Sequence, residues 1–285
     1  MVGSINVDTT IRVVRLPRAG ETALGMSLAT GLGGKGANQA VASARLGAPT
    51  VLIAGVGDDD AGRTALSLLD GEGVDISCVL RVADGATGVA HIAVDDEGAN
   101  QITVAPLANH ALTVEHVEAS GKEVAAADVV LCSLECPLDA VAAAIRLGRR
   151  TSAYTVLNAA PGRPLPTALT ELVDLLVVNE TEAATLGGVD ALPCASAIVN
   201  MGEQGALLLR RGDQRMVPGY DVTAVDTTGA GDAFCGALAA ALWRGDTLDA
   251  AVDEAVAAGA CAVMTAGASR SLPTLADVRR LRAGA

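Results

Sequence analysis

Short, unbroken apolar runs alternate with helical stretches along this chain, and that alternation limits its fold more than any other feature. Val51–Val56, Val89–Val94, Val129–Cys132, Thr155–Leu157, Leu175–Val178, Ala197–Val199 and Ala206–Leu209 read as strands bounded by Gly, Asp or Asn. Between them, Gly36–Leu46 sets Ala37, Ala40, Val41 and Ala44 on one helical face. Ala61–Leu69, Val114–Ala126, Leu138–Leu147 and Ala230–Trp243 read as helices in the same way. Alternation of this kind predicts an α/β protein with a mainly parallel sheet. Ile11–Ser27 and Thr87–Val104 differ: they alternate apolar with polar residues and carry turn signals at Pro17–Gly20 and Asp95–Gly98. They predict a small antiparallel sheet set off from the body, with the form of a lid. No linker or repeat divides the 285 residues, so a single domain spanning 1–285 is expected, with lid strands from about 9–30 and 87–105.

Composition removes several functions. Net charge is −13 and aromatics are 1%, which leaves neither a basic face nor stacking platforms for nucleic acid. An anionic ligand must then be held by a local device such as a helix N-terminus, a lysine or a metal. No run reaches the length of a membrane span, and the first residues lack the basic-then-apolar pattern of a signal peptide. Six Cys lie among apolar neighbours without C-x-x-C spacing, which predicts buried, reduced thiols and a cytoplasmic location. His91, His110 and His116 match no motif.

Two glycine loops carry the chemistry. Gly31–Gly36 fits G-x-G-x-x-G and precedes a helix, which suggests a dinucleotide fold. The segment before it, Met26–Thr30, is a poor buried strand, and Lys35 at the helix start suits a grip on a polar ligand instead. The second loop, Val225–Phe234 (VDTTGAGDAF), runs straight into an apolar helix. Gly229, Ala230 and Gly231 would turn successive N–H groups toward one spot at the positive helix end, an anion hole. Asp232 stands in the first turn, where a carboxylate can take a proton from an attacking hydroxyl while the hole holds a transferring phosphoryl group.

These two loops together, GGKGANQAVASARLG at 33–47 and DTTGAGDAF at 226–234, resemble the paired signatures of the PfkB carbohydrate kinases. GSINVD, PRAGET, SLECPL, LNAAPG and VVNETEA extend the resemblance, in order, over nearly the whole chain and toward the ribokinase branch. The resemblance implies a ribokinase-like three-layer α/β/α sandwich with a small β lid. It implies transfer of the ATP γ-phosphoryl group to a primary hydroxyl of a pentose, with ribose as the expected acceptor. Another sugar or a nucleoside as acceptor, or a non-catalytic binding relative, are the alternatives. Asn6, Asp8, Gly34, Lys35, Asn38 and Glu135 would bind the sugar or its lid. Asp232 would be the base and Gly229–Gly231 the anion hole. Asn179 and Glu182 would help place Mg²⁺ and the phosphates, with Asn200, Gly202 and Gly205 on the nucleotide side. Asp226, Thr228, Ala262, Thr265, Gly267 and Ser271 would enclose K⁺. A homodimer through the lid is implied as well.

The sequence departs from the family pattern at four places. Strand one is short before Gly3-Ser-Ile-Asn6. Only Gly187–Ser196, with Pro193 inside it, joins the N-x-x-E helix to the next strand, which predicts a missing helix and a thinly covered sheet face. Asn200 stands where the family carries Thr, and Pro106-Leu-Ala-Asn109 replaces a Gly-Ala-Asn pattern.

Overall fold

The computed structural model describes residues 1–189 and 192–284. The chain opens with β1 (Asn6–Arg12), β2 (Ser27–Gly33) and helix α1 (Lys35–Arg45). Then come β3 (Thr50–Val51), β4 (Ala54–Gly57), α2 (Asp60–Gly71), β5 (Val74–Asp75) and β6 (Val79–Val82). β7 (Gly88–Val94) and β8 (Asn100–Ala105) lead to α3 (Val114–Ala119), α4 (Gly121–Ala125), β9 (Val129–Ser133), α5 (Leu138–Arg150) and β10 (Tyr154–Asn158). The rest runs α6 (Thr167–Thr170), β11 (Leu175–Asn179), α7 (Glu180–Thr185), β12 (Ser196–Asn200), β13 (Gly205–Arg210), β14 (Asp213–Pro218) and helices α8 (Ala230–Trp243), α9 (Leu248–Ala262), α10 (Ala268–Ser271) and α11 (Leu275–Ala283).

The apolar runs build a six-stranded sheet in the order β14-β13-β12-β11-β10-β9. It is parallel from β9 to β12 and antiparallel at its β13–β14 edge. Parallel strands end on the same side, so the loops that follow them gather at one rim, where ligands of open α/β sheets bind. Val51–Val56, expected as one strand, is two. The backbone changes partner between them: the Leu52 N–H goes to the Asp75 carbonyl and the Ile53 N–H to the Met1 carbonyl. β3 therefore pairs with β5, and β4 with β6. Val2 bridges Ile53 on one side and Cys132 on the other, so the short first strand still stitches these pairs to the large sheet.

The small sheet has the order β2-β1-β7-β8. Both hairpins are antiparallel, as their alternation predicts, and β1 joins them by a parallel pairing with β7. Residues opposite one another share a face, so Asp8 lies on the same face as Ala90 and Val104, and the neighbouring row is Thr10, Ile92 and Ile102.

The helix expected over Val114–Ala126 breaks at Ser120 into α3 and α4. The Ser120 hydroxyl donates back to the His116 carbonyl, and Gly121, a poor helix former, follows. α9 and β14 have no counterpart among the sequence-derived elements. α9 is apolar nearly all round, so no single face announces it, and it packs against α8 in the core. β11 returns to β12 through α7, and the described part of 187–196 adds no α-helix; residues 190 and 191 lie outside the described residues.

Aromatic scarcity is met by small-residue packing. Phe234 on α8 is the largest fully buried side chain, amid a core rich in Ala. Gly236 lets α8 meet α1 closely: a Cβ there would stand 2.4 Å from the Ala42 methyl. The Ser43 hydroxyl fastens the same crossing by donating to the Gly236 carbonyl at 3.0 Å. This contact brings the two glycine loops, some two hundred residues apart in sequence, to one place.

Candidate active site

The first loop sits where β2 ends and α1 begins, at the root of the small sheet. Gly34 is the residue before the helix, with φ 88, a conformation glycine reaches without strain. Gly33 is needed for a different reason: a Cβ on it would overlap the Asp8 carboxyl group, 2.0–2.3 Å away. Gly36 likewise passes directly over Gly3 and Ser4, at 2.5 Å from where its Cβ would be. The G-x-G-x-x-G spacing thus serves close passage of sheet and helix. β2 is an antiparallel strand of the small sheet, so a dinucleotide crevice is absent at its end.

The second loop enters α8 through Gly229, left-handed at φ 83. A Cβ there would also press on Ala268, 2.9–3.3 Å away. The first N–H groups of a helix have no partner inside it. Ala230 departs from the expected anion hole, since its N–H is drawn to the Thr227 carbonyl at 3.3 Å. Space beside Gly231 is open.

Asp232 is 8% exposed, and each of its oxygens accepts one side-chain amide. The Asn38 Nδ2 donates to Oδ2 at 2.9 Å and the Gln39 Nε2 to Oδ1 at 2.9 Å. Burial raises the Asp232 pKa above the ordinary carboxylate range; Lys35, Gln39 and Asn38 pull it back, and Glu135 pushes it up again. Burial would lower the Lys35 pKa, but Asp232, Glu135 and Glu182 around it more than reverse this, so Lys35 stays charged. Asp8 is raised to about 6, first by burial and then by the charges of Glu135 and Asp232. Four carboxylates, Asp8, Glu135, Glu182 and Asp232, and one lysine therefore share this pocket of charge. A raised carboxylate beside an open helix N-terminus can accept a hydroxyl proton near neutral pH.

Glu135 accepts from the Ser4 hydroxyl at 2.5 Å and from the Lys35 N–H at 3.0 Å, which pins the first loop to the end of β9. Asn6, expected to touch the sugar, is buried, and its Oδ1 accepts from Asn109 Nδ2 at 2.8 Å. Asn109 also brackets Ile5, accepting from its N–H at 2.8 Å and donating to its carbonyl at 3.0 Å. The four-residue segment noted as a departure thus still supplies a clamp where β1 leaves the body.

On the nucleotide side, Asn179 and Glu182 form a reciprocal cap on α7, each holding the other's backbone N–H at 2.8 Å. The charge of Glu182 still reaches Lys35. Asn200 Oδ1 accepts from the Gly202 N–H at 3.0 Å, and Gly202, in the turn before β13, and Gly205, its first residue, hold positive φ of 60 and 101. Asp226 ties two loops together: Oδ1 accepts from the Thr228 N–H and Oδ2 from the Gly267 N–H, both at 2.9 Å. Burial pushes Asp226 up, and the bonds from Thr228 and Gly267 outweigh it, so its pKa is lowered. Ser271 Oγ lies 3.5 Å from the Thr228 carbonyl. The Ala262 carbonyl accepts from the Thr265 N–H at 3.2 Å. A cavity of 1170 Å³ borders Thr265 and Ser271 from the side of Tyr220 and Arg280, and is lined by none of Asp8, Lys35 or Asp232.

Gln39, Asn109, Asn158 and Ser4 are the site residues that motif reading missed. All four lie inside the quoted motifs or the Pro106–Asn109 segment, so only their contacts, not their positions, were illegible.

The sequence matches the pfkB family carbohydrate kinase profile over residues 1–275. It is 36% identical to a ribokinase of Haemophilus influenzae, over 96% of this chain and 94% of that one. A ribokinase from Thermotoga maritima superposes with TM-score 0.91 at 30% identity, covering 99% and 98% of the two chains. A ribokinase from Arabidopsis thaliana complexed with ribose and ATP gives TM-score 0.90 at 30% identity, over 98% and 96%. The chain belongs to the pfkB family of carbohydrate kinases, and its fold is the ribokinase-like α/β sandwich.

Proposed function

We propose that this protein phosphorylates ribose at its primary hydroxyl, with ATP as donor, giving ribose 5-phosphate and ADP. The observation that carries the reading is the meeting at Asp232 of Asn38 from the first loop, the charge of Lys35 and the open N-terminus of α8. The acceptor oxygen attacks the γ-phosphorus, the bond to the β-phosphate oxygen breaks, and the hydroxyl proton passes to Asp232. The N–H groups of Gly229 and Gly231 face the charge on the transferring group, that of Ala230 being drawn to the Thr227 carbonyl, and Lys35 adds a positive charge. Asp8, Asn6, Gly34, Lys35, Asn38 and Glu135 hold the sugar; Asn109, by occupying Asn6 Oδ1, leaves Asn6 Nδ2 to donate to a hydroxyl.

The phosphates extend toward Asn179, Glu182, Asn200, Gly202 and Gly205. No group of three His, Cys, Asp or Glu that could cage a metal exists among the described residues. That fits Mg²⁺ brought by the nucleotide, which needs only one or two protein carboxylates, here Glu182. Mg²⁺ would neutralise phosphate charge. A monovalent cation is a better match for the Asp226 region, where the carboxylate joins the Thr228 and Gly267 segments and the Ser271 hydroxyl stands 3.5 Å from the Thr228 carbonyl. Asp226, Thr228, Ala262, Thr265, Gly267 and Ser271 would hold K⁺ and so stiffen the approach to Gly229.

Residues 1–285 act as one kinase domain, with the small sheet as lid. Exposed Ile102 and Val104 lie on the lid face that carries Asp8, and an apolar lid face open to water suits pairing with a second copy. The six cysteines are free thiols, in keeping with a cytoplasmic protein, and no helix among the described residues is long and apolar enough to cross a membrane.

The test is ADP release with Mg²⁺ and K⁺ across ribose, 2-deoxyribose, hexoses and nucleosides. Ribose should give the highest kcat/KM. A higher value for another acceptor replaces the substrate, and no turnover with any acceptor leaves a binding protein.

A further inference from the structure

Gln39 follows Asn38 on α1 and is fully buried, at 0% exposure. Its amide nitrogen donates twice, to Asp232 Oδ1 at 2.9 Å and to Asn158 Oδ1 at 3.0 Å. Asn158 closes β10 and donates in turn to the Val177 carbonyl on β11 at 3.3 Å. The chain of bonds runs from the carboxylate on α8, through α1, to the rim of the central sheet.

The orientation of this amide is forced. Reversed, it would set its oxygen against the Asp232 carboxylate, an acceptor with no proton to give. The carbonyl oxygen of Gln39 is buried without a protein partner, as is that of Asn38. Buried acceptors are rarely left unmet unless the group serves elsewhere. In Gln39 both amide hydrogens are committed, one to Asp232 and one to the sheet.

Asn38 and Gln39 divide the carboxylate between them, yet they differ in what else they can do. Asn38 stands directly after the sugar-gripping loop and keeps a sliver of exposure, 4% against 0% for Gln39, although its Oδ1 is as buried as that of Gln39. Gln39 has no exposed atom with which to meet substrate. We propose that Gln39 is a positioning residue for phosphoryl transfer, which fixes the plane of the Asp232 carboxylate against the sheet rim through Asn158 and favours its ionised form. The proposal rests on Asp232 as the base of the reaction.

The charged groups around Asp232 come from four other elements. Lys35 begins α1, Asp8 lies on β1 and Glu135 follows β9, while Glu182 on α7 acts through Lys35. Cys235 on α8 is held neutral by burial. Only Lys35 is positive, so the two amides supply the remaining support for a negative Asp232.

Gln39→Met, of similar length and without donors, tests this alongside Asp232→Asn and Asn158→Ala. For each, kcat and sugar KM are measured across pH, with the melting temperature recorded. Gln39→Met should lower kcat at neutral pH by roughly tenfold or more, a fraction of the ~10²–10⁴ a general base supplies. Its acidic limb should move to higher pH, with activity partly regained in alkali, and the sugar KM should stay within about twofold. Gln39→Glu should be worse, because a second carboxyl would face Asp232. Wild-type kcat and profile in Gln39→Met overturn the proposal. So does an equal loss at every pH accompanied by a raised sugar KM, the mark of a packing defect. If Gln39→Met does not fold, Asn158→Ala takes its place: a smaller shift in the same direction supports the anchor, and an unchanged profile overturns it. An inactive Asp232→Asn beside an unaffected Gln39→Met removes Gln39 alone, whereas a fully active Asp232→Asn removes the base and the proposal with it.

Discussion

Asn38 Nδ2 donates to Asp232 Oδ2 at 2.9 Å, across 194 positions of sequence. One residue belongs to the loop at the root of the small sheet and the other to the first turn of α8. The bond exists because α1 and α8 cross at Gly236, and it puts the sugar-side loop and the phosphate-side helix in register.

Asp232→Asn should lower kcat by about 10²–10⁴ and leave ribose affinity nearly intact. The amide is isosteric but cannot take the proton. Single-turnover rates with binding measured by calorimetry check this. Near wild-type turnover would remove Asp232 from its role.

Asp8→Asn should weaken ribose binding and yet stabilise the free protein above pH 6. The sign follows from linkage. The Asp8 pKa is raised to about 6 in the folded state, so between the ordinary carboxylate value and 6 the native protein holds a proton that the unfolded chain has lost. Stability therefore falls as pH rises through that window and stays lower above it. The penalty is on the order of 2–3 kcal/mol. Thermal melts at pH 4 and pH 8 should show a gain for Asp8→Asn only at pH 8.

Gly33→Ala should act on the sugar through Asp8. The new methyl would overlap the Asp8 carboxyl at 2.0–2.3 Å, and that side chain must move to make room. Ribose KM should rise several-fold, with a destabilisation of about 1–3 kcal/mol from overpacking. A variant with unchanged KM would show that Asp8 is free to shift without consequence.

Potassium should activate the enzyme at constant ionic strength, compared with Na⁺ or a bulky organic cation. Asp226→Asn should abolish the difference, because the carboxylate joins the Thr228 and Gly267 segments. Equal rates in the three salts would reject the cation and leave the kinase reading standing.

Ile102→Asp should produce monomers if the apolar lid face is a subunit contact. Ile102 is 52% exposed in the single chain, so the change itself costs the monomer little. Sedimentation of the wild type and the variant decides it; identical species would place the contact elsewhere.

Periodicity was enough to reveal an α/β fold with a small sheet, the glycine loops singled out Lys35 and Asp232, and the family resemblance joined them with Asn38 in one functional set. Such features are local: a period of two or of 3.6, or a glycine before an apolar run, is written in neighbouring residues. What stayed hidden depends on contacts between distant segments. α9 was illegible because it is apolar nearly all round, and Asp249 and Asp253 make too narrow a polar edge to mark its period. The split of Val51–Val56 was illegible because its backbone partners, Asp75 and Met1, lie elsewhere in the chain. Asn179 and Glu182 carry the same residues whether they cap a helix or face phosphate, and only the three-dimensional structure shows the cap being made. Gln39 is the sharpest case. Its place in the first glycine motif was legible but its partner was not; the crossing of α1 over α8, set by the missing Cβ of Gly236, brings its amide to Asp232. Sequence thus determined which groups were available, and tertiary packing decided which of them meet, because hydrogen bonds act over about 3 Å in space and take no account of separation along the chain.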